Sequence, residues 1–301
     1  MKIKNLISGS VLILIIIYLI YYINNNLQNF KQLTMTNTLY LVPLLIFFLL
    51  SLYLNGIMLK TLMKPFKIKL KNNEAFGLAA ITNFYNIITP FRGGAAARAI
   101  YLKKKHDFPY VHFLATLSAI YILIFLVSSI VGIFSMLTLQ EKSIPILITL
   151  SILTIFLLLI IIFSPRIKEK RNKWLNRFIK VINGWHLIKN NKRIIAITII
   201  ISLVQVLLTA LNNLIAYQIF GIEITLAKAL FIAAISNLSI IIAITPGNLG
   251  IGDAINVFTA NIVGIPLTEA IATTMLLRAV NLAIIFILGP IYSYKLIKKN
   301  D

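Results

Sequence analysis

The sequence predicts an all-α polytopic membrane protein, with six spanning helices and two oppositely oriented re-entrant helical hairpins in an inverted-topology repeat. Three observations predict it. Of 301 residues, 59% are apolar and only 12% charged, about half the roughly 25% charged share of a soluble domain, and mean hydropathy is +0.92. The formal net charge of +21 falls between apolar runs. Two clusters of helix breakers interrupt those runs, Thr89-Pro90-Phe91-Arg92-Gly93-Gly94 and Thr245-Pro246-Gly247-Asn248-Leu249-Gly250-Ile251-Gly252-Asp253. Proline costs about 3 kcal/mol inside a helix and glycine about 1, so no continuous helix crosses either cluster. A broken backbone survives in hydrocarbon only where protein or a water-filled cavity satisfies it. Residues 1–301 are expected to form a single integral membrane domain.

Composition also excludes. With no cysteine there is neither a disulfide nor a thiolate metal site. A charge of +21 in a soluble protein would point to nucleic acid; lying between apolar spans, it reads instead as the positive-inside rule, together with attraction to anionic headgroups. His106, His112 and His186 have no metal-ligand spacing, and no nucleotide-type glycine loop occurs. Eight acids, none closely paired, leave general acid–base or two-metal catalysis little to work with. No cofactor and no nucleic-acid partner are expected.

Taken in order, apolar runs of spanning length, about 20 residues, fall at 6–23, 38–59, 112–138, 144–163, 194–219 and 268–294. The first follows Lys2 and Lys4 and meets bulky Asn24-Asn25-Asn26 rather than a small-residue cleavage site. It is expected to be retained as a helix. Two further apolar segments, 74–90 and 227–245, end at the breaks. Short helix-compatible pieces follow, 95–105 and 252–263, too short to cross at about 1.5 Å per residue. Residues 164–193 hold ten Lys or Arg against Glu169, with Trp174, Leu175, Phe178, Ile179, Ile182 and Trp185 at spacings of three and four. That pattern predicts a basic amphipathic helix on the inner membrane surface, with a solvated basic linker as the alternative.

Charge sets the orientation. Of 29 basic residues, 25 fall on one side: the N-terminus, 60–71, 92–105, 164–193 and Lys295, Lys298 and Lys299. Lys31, Lys142 and Lys228 fall on the other, and Arg278 lies inside a span. Both termini are therefore expected to be cytoplasmic, in a multi-pass protein of the cell membrane. Hairpin 74–105 then enters from the cytoplasm and returns to it, and hairpin 227–263 enters and leaves from outside. The halves 38–138 and 194–294 also echo each other in sequence. Phe76–Asn83 parallels Phe231–Asn237, Thr89-Pro90 parallels Thr245-Pro246, and after Pro109 and Pro266 the alignment carries Ala115-Thr116 onto Ala272-Thr273 and Gly132 onto Gly289.

Arg278 is the most informative single residue. It lies ten positions into its span with no acid within a turn, where an arginine costs at least ~2.5–3.5 kcal/mol. A guanidinium there suits a bidentate clamp on phosphate, with snorkelling to an interface as the alternative. Asp253 either caps the short helix after the break or pairs with Arg278 as a two-state element. The breaks at Gly93 and Gly94, and after Pro246 at Gly247, Gly250 and Gly252, leave helix N-termini whose unpaired N–H groups suit a phosphate or carboxylate. Arg92 and Arg98 add charge at the first break and Asn248 a neutral polar group at the second. The two arginines read equally well as ordinary positive-inside residues. Asn83 and Asn237 are expected to hydrogen-bond across helices, and Asp107 to cap the helix that follows Pro109.

At these residues the chain resembles the flippase-like family named for the lysylphosphatidylglycerol synthase transmembrane region, over about 10–294. Its first motif is similar to Asn83…Thr89-Pro90-Phe91-Arg92-Gly93-Gly94…Arg98…Tyr101-Leu102. Its second is similar to Thr245–Asp253, then Gly264-Ile265-Pro266-Leu267 and Leu276-Leu277-Arg278. The departures are Ala95, where many members carry glutamate, Ile120-Tyr121 in place of a Glu-Arg pair, and Asp253 in place of glutamate. Some relatives carry a soluble aminoacyltransferase domain after the membrane part; with Asp301 as the last residue, no such activity is expected of this chain. The resemblance implies a lipid flippase-like transporter, not an enzyme, moving an anionic or zwitterionic lipid between leaflets. Aminoacylated phospholipid and polyprenyl-phosphate-linked lipid both qualify. Phosphate-bearing membrane lipids are the implied partners, with room for a second copy of the chain or a lipid-modifying enzyme. The alternative is a membrane-embedded lipid-modifying or glycosyl-transfer enzyme, or its non-catalytic membrane subunit.

Overall fold

The computed structural model describes residues 20–296 except 141 and 169–171, together with Ile17. Most of the expected first span, 6–23, lies outside the described residues, as do Lys2, Lys4, Glu169, Lys298 and Lys299. The described helices are α1 (Leu27–Gln32), α2 (Leu41–Met63), α3 (Asn72–Ile88), α4 (Gly93–His106), α5 (Tyr110–Thr138), α6 (Ile144–Phe163), α7 (Lys173–Lys189), α8 (Lys192–Ile219), α9 (Leu226–Leu238), α10 (Ile251–Ile262) and α11 (Leu267–Leu296). No strand occurs among the described residues.

Five helical stretches are long and apolar enough to cross a membrane: Thr38–Phe66, Tyr110–Thr138, Ile144–Phe163, Lys192–Ile219 and Leu267–Leu296. They match five of the six expected spans. Helix α6 exposes Ile148, Ile152, Ile155, Phe156 and Leu159, a surface that water would penalise and hydrocarbon would not.

Helices α2 and α8 form an antiparallel central pair. The Thr36 N–H donates to the Ile219 carbonyl at 2.9 Å where α2 begins and α8 ends; at the other end Met58 and Leu62 pack with Ile194 and Ile201. Helix α3 leaves from the end of α2 and α9 from the end of α8, so the two helix–break–helix units start at opposite ends of the pair. Each unit folds back on itself. Glu74 at the head of α3 accepts from the Tyr101 hydroxyl near the end of α4 at 2.7 Å, and Lys228 at the head of α9 reaches Gly264 just beyond α10. Their breaks meet between the two ends, where the Phe91 N–H donates to the Ile244 carbonyl at 3.3 Å.

The halves exchange partners. Helix α3 of the first packs on α11 of the second, and α9 of the second on α5 of the first. Gly289 leaves no room for a Cβ against Phe84, and Gly132 lies against Ala234 and Leu150. The two glycines that align in sequence thus each seat a long helix on the other half's short one.

Two expectations need correction. Helix α9 ends at Leu238 and continues only as a 3-10 turn, Ser239–Ile242, short of the apolar limit at 245; the Ser236 and Ser239 hydroxyls donate back to the Ile232 and Ser236 carbonyls at 2.7 Å each where the winding changes. With that turn the apolar helical stretch runs Leu226–Ile242, shorter than the five of spanning length. Asp107 does not cap α5; it sits at the C-terminal end of α4 with φ 49°, bonded to Lys103, and Pro109 precedes α5. In the basic stretch α7 does form, started by Asn172 accepting from the Trp174 and Leu175 N–H groups at 3.0 and 3.3 Å. One of its faces is buried, with Ile179, Trp185 and Ile188, while Trp174 and Phe178 stay exposed. Lys189 holds it to the end of α6 by donating to the Ile161, Ile162 and Ser164 carbonyls.

Candidate functional site

The first break is abrupt. Pro90 drives Thr89 into extended backbone, φ −127° and ψ 142°, and Phe91 and Arg92 follow at φ 53° and 59°. Left-handed backbone costs a side-chain-bearing residue about 1–2 kcal/mol. Gly94 then lets α4 lie on α3, because a Cβ there would run into the Thr82 carbonyl, and its N–H donates to Asn86 Oδ1 at 3.0 Å. In the second break Gly247, Asn248 and Gly250 take φ 59°, 56° and 76°, the residue types that tolerate it best.

Beneath the first break lies a cavity of about 220 Å³ walled by α2–α5, α8 and α9. Arg92 and Arg98 line it with asparagine, glutamine, serine, threonine and tyrosine side chains, and no carboxylate is among its described lining residues. Arg98 is only 8% exposed, its Nε has no hydrogen-bond partner, and its Cζ sits 5.5 Å from the Phe113 ring centroid. Arg92 donates to the Tyr121 hydroxyl, with Cζ 5.2 Å from that ring. Gln205 donates to Asn55 Oδ1 at 3.0 Å across the α2–α8 pair.

A second cavity of about 250 Å³ lies beside the second break, lined by Asp253, Arg278, Asn212, Asn256 and Asn281 among others. Here charge is closed on itself. Arg278 donates through Nε to Asp253 Oδ1 at 3.0 Å, through Nη2 to the same oxygen, and through Nη1 to the Gly247 carbonyl at 2.9 Å. Asp253 Oδ2 accepts from the Gly250 N–H at 2.9 Å. Asp253, 6% exposed, therefore caps α10 and pairs with Arg278 at once. The two cavities share Ser51 of α2 and Thr209 of α8 in their walls.

Of the residues expected from sequence, Arg92, Arg98, Asn83 and Asn237 meet in the first cavity and Asp253 and Arg278 in the second. Gly93, Gly94, Pro246, Gly247, Asn248, Gly250 and Gly252 shape the breaks but do not line either cavity. Asn83 does not bridge helices; it donates to its own Ala79 carbonyl at 3.0 Å, and Asn237 Nδ2 has no partner. Sequence reasoning missed Asn55, Gln205 and Thr209, and Asn212 beside the second break. Polar residues four apart inside apolar spans, Ser51–Asn55 and Gln205–Thr209, share a helix face and were the available signal. A wider hollow of about 640 Å³ lies between α7 and the start of α5, with Arg166, Lys180, His112 and His186 in its wall.

The fold and these walls define a polytopic helical membrane protein with two polar cavities, one beside each of two helix breaks. The chain belongs to the family described as the lysylphosphatidylglycerol synthase TM region, whose model matches residues 6–289. That places it among membrane proteins of lipid metabolism or transport. No curated protein and no solved structure matches it.

Proposed function

We propose that the protein is a flippase-like transporter that moves a phosphate-bearing lipid between the leaflets of the cell membrane, its basic side and both termini facing the cytoplasm. On this reading α3–α4 and α9–α10 are re-entrant hairpins of an inverted repeat, and the lipid headgroup passes from the cavity at the first break to the cavity at the second. The acyl or isoprenoid chains stay in the bilayer. The observation that carries the proposal is the meeting of the two breaks, Phe91 N–H on the Ile244 carbonyl, over cavities that share Ser51 and Thr209. A broken backbone at a polar midplane site is the arrangement by which transporters hold charged substrate groups. Among the described lining residues of both cavities the one carboxylate is Asp253, already held by Arg278 and Gly250. That favours translocation over bond-making chemistry, which needs a free acid, base or nucleophile.

The test is headgroup accessibility in proteoliposomes holding a fluorescent phospholipid and a membrane-impermeant quencher. Wild-type protein is expected to expose the inner-leaflet label, and Arg98→Gln to slow exposure by about tenfold or more, since it removes a guanidinium of the first cavity whose Nε has no partner and which is free to bond phosphate. Undiminished scrambling by Arg98→Gln removes that residue from the mechanism; no exposure by wild type removes the transport reading.

A further inference from the structure

We infer that the first cavity selects a lipid headgroup carrying phosphate and hydroxyls but no amino group, so that an aminoacylated phospholipid is not its preferred occupant. The inference names the substrate class of the translocation reading and rests on it. The wall carries two guanidinium cations and no carboxylate among its described residues. Either headgroup brings a phosphate whose oxygens accept from Arg92 and Arg98, but a lysyl or alanyl ester adds an ammonium beside two guanidinium groups, and the wall holds no carboxylate among its described residues to pair with it.

The unpartnered atoms point the same way. Arg98 Nε and Asn237 Nδ2 are buried donors without acceptors, and a phosphate is acceptor-only. Gln205 Oε1 is a buried acceptor without a donor, and Ser51 Oγ is buried without a partner; both suit hydroxyl groups. The space, about 220 Å³, is on the order of seven water volumes at roughly 30 Å³ each, room for a phosphate and a short polyol. The second cavity offers an ammonium nothing more, since Asp253 is already taken by Arg278.

Two residues make the difference. Ala95 follows Gly94 as Asp253 follows Gly252, and Tyr121 stands where Arg278 stands, at the offset that carries Pro109 onto Pro266. An acid at 95 would give the first cavity the counterion it lacks.

The experiment is native mass spectrometry of the purified full chain with equal concentrations of dihexanoyl phosphatidylglycerol and its lysyl ester. Wild type is expected to retain phosphatidylglycerol about tenfold better. Arg98→Gln should abolish that preference, and Ala95→Glu should shift it toward the lysyl ester. A chain that misfolds retains neither lipid, so the gain by Ala95→Glu keeps the outcome readable. Equal or better retention of the lysyl ester by wild type, or retention of neither, overturns the assignment. Translocation of the same two lipids in proteoliposomes separates the two readings. A preference without headgroup transfer sinks the transport reading alone, and transfer of both without preference sinks the assignment alone.

Discussion

The two breaks solve one backbone problem in two electrostatic ways. In the second, Asp253 takes the Gly250 N–H, and Arg278 closes on Asp253 and the Gly247 carbonyl. In the first, Ala95 and Tyr121 stand in the corresponding places, and Arg92 and Arg98 meet aromatic rings and a phenol but no carboxylate. One half is internally neutralised and the other carries buried positive charge. Similar breaks therefore need not have similar electrostatics: the side chains at two positions decide whether the arginine beside a break meets a carboxylate or is left without one.

The largest expected effect breaks the closed half. Asp253→Ala strands Arg278 and removes the cap of α10, and breaking a buried pair from one side costs about 3–5 kcal/mol. In detergent the thermal midpoint should fall sharply, and the double change Asp253→Asn with Arg278→Gln should fall less than Asp253→Ala. Arg98→Gln in the open half removes a charge that has no counterion, so its midpoint should equal or exceed wild type. If Arg98→Gln destabilises as much as Asp253→Ala, Arg98 has a structural counterion and the contrast between the halves collapses.

Smaller effects come from the glycines that let each short helix start. A Cβ at Gly94 meets the Thr82 carbonyl, which is backbone, whereas one at Gly252 meets the side-chain amide of Asn248. Gly94→Ala should cost about 1–3 kcal/mol by forcing α4 off α3, and Gly252→Ala less than about 1, because a side chain can turn away. Denaturant titration in detergent compares them. Equal losses would mean that the second break is as tightly packed as the first.

Much of this was legible in the sequence. The apolar runs marked five spans to within a few residues, because hydrocarbon thickness sets helix length. Pro90 and Pro246 marked both breaks, because proline removes a helical hydrogen bond and crowds the preceding turn, although α11 runs on through Pro290. Arg278 announced a buried partner, and Asp253 supplied it. What sequence missed depends on how helices face each other. The polar residues of α2 and α8 looked like isolated interruptions until the antiparallel pairing set Asn55 against Gln205. The apolar run to residue 245 hid the change from α-helix to a 3-10 turn after Leu238, because hydropathy does not register how the backbone is wound. The double duty of Asp253 likewise needed the geometry of a single carboxylate with two oxygens facing two donors.

The smallest expected effect lies at the open ends of the units, where the halves differ again. The α3–α4 end is held by Glu74, which accepts from Tyr101 at 2.7 Å and pairs with His106 at 2.8 Å and Lys105 at 3.5 Å. Burial pushes the Glu74 carboxyl up, but the hydrogen bonds from His106 and Tyr101 and the charges of His106 and Lys105 outweigh it, so it lies below its ordinary value. A carboxylate depressed in the folded state stabilises fully above its unfolded pKa, and the contribution is lost as pH falls through the folded one. Amide exchange at the end of α4 should therefore be about threefold faster in Glu74→Gln than in wild type at neutral pH, a modest factor because Lys105 and His106 are partly exposed. The two rates should converge as the pH drops below the carboxylate range. At the α9–α10 end, where no ion pair is found among the described residues, the same substitution should change nothing at any pH. A wild-type-to-variant ratio in α4 that stays constant from neutral to acid pH would mean that Glu74 holds the hairpin by shape and not by charge.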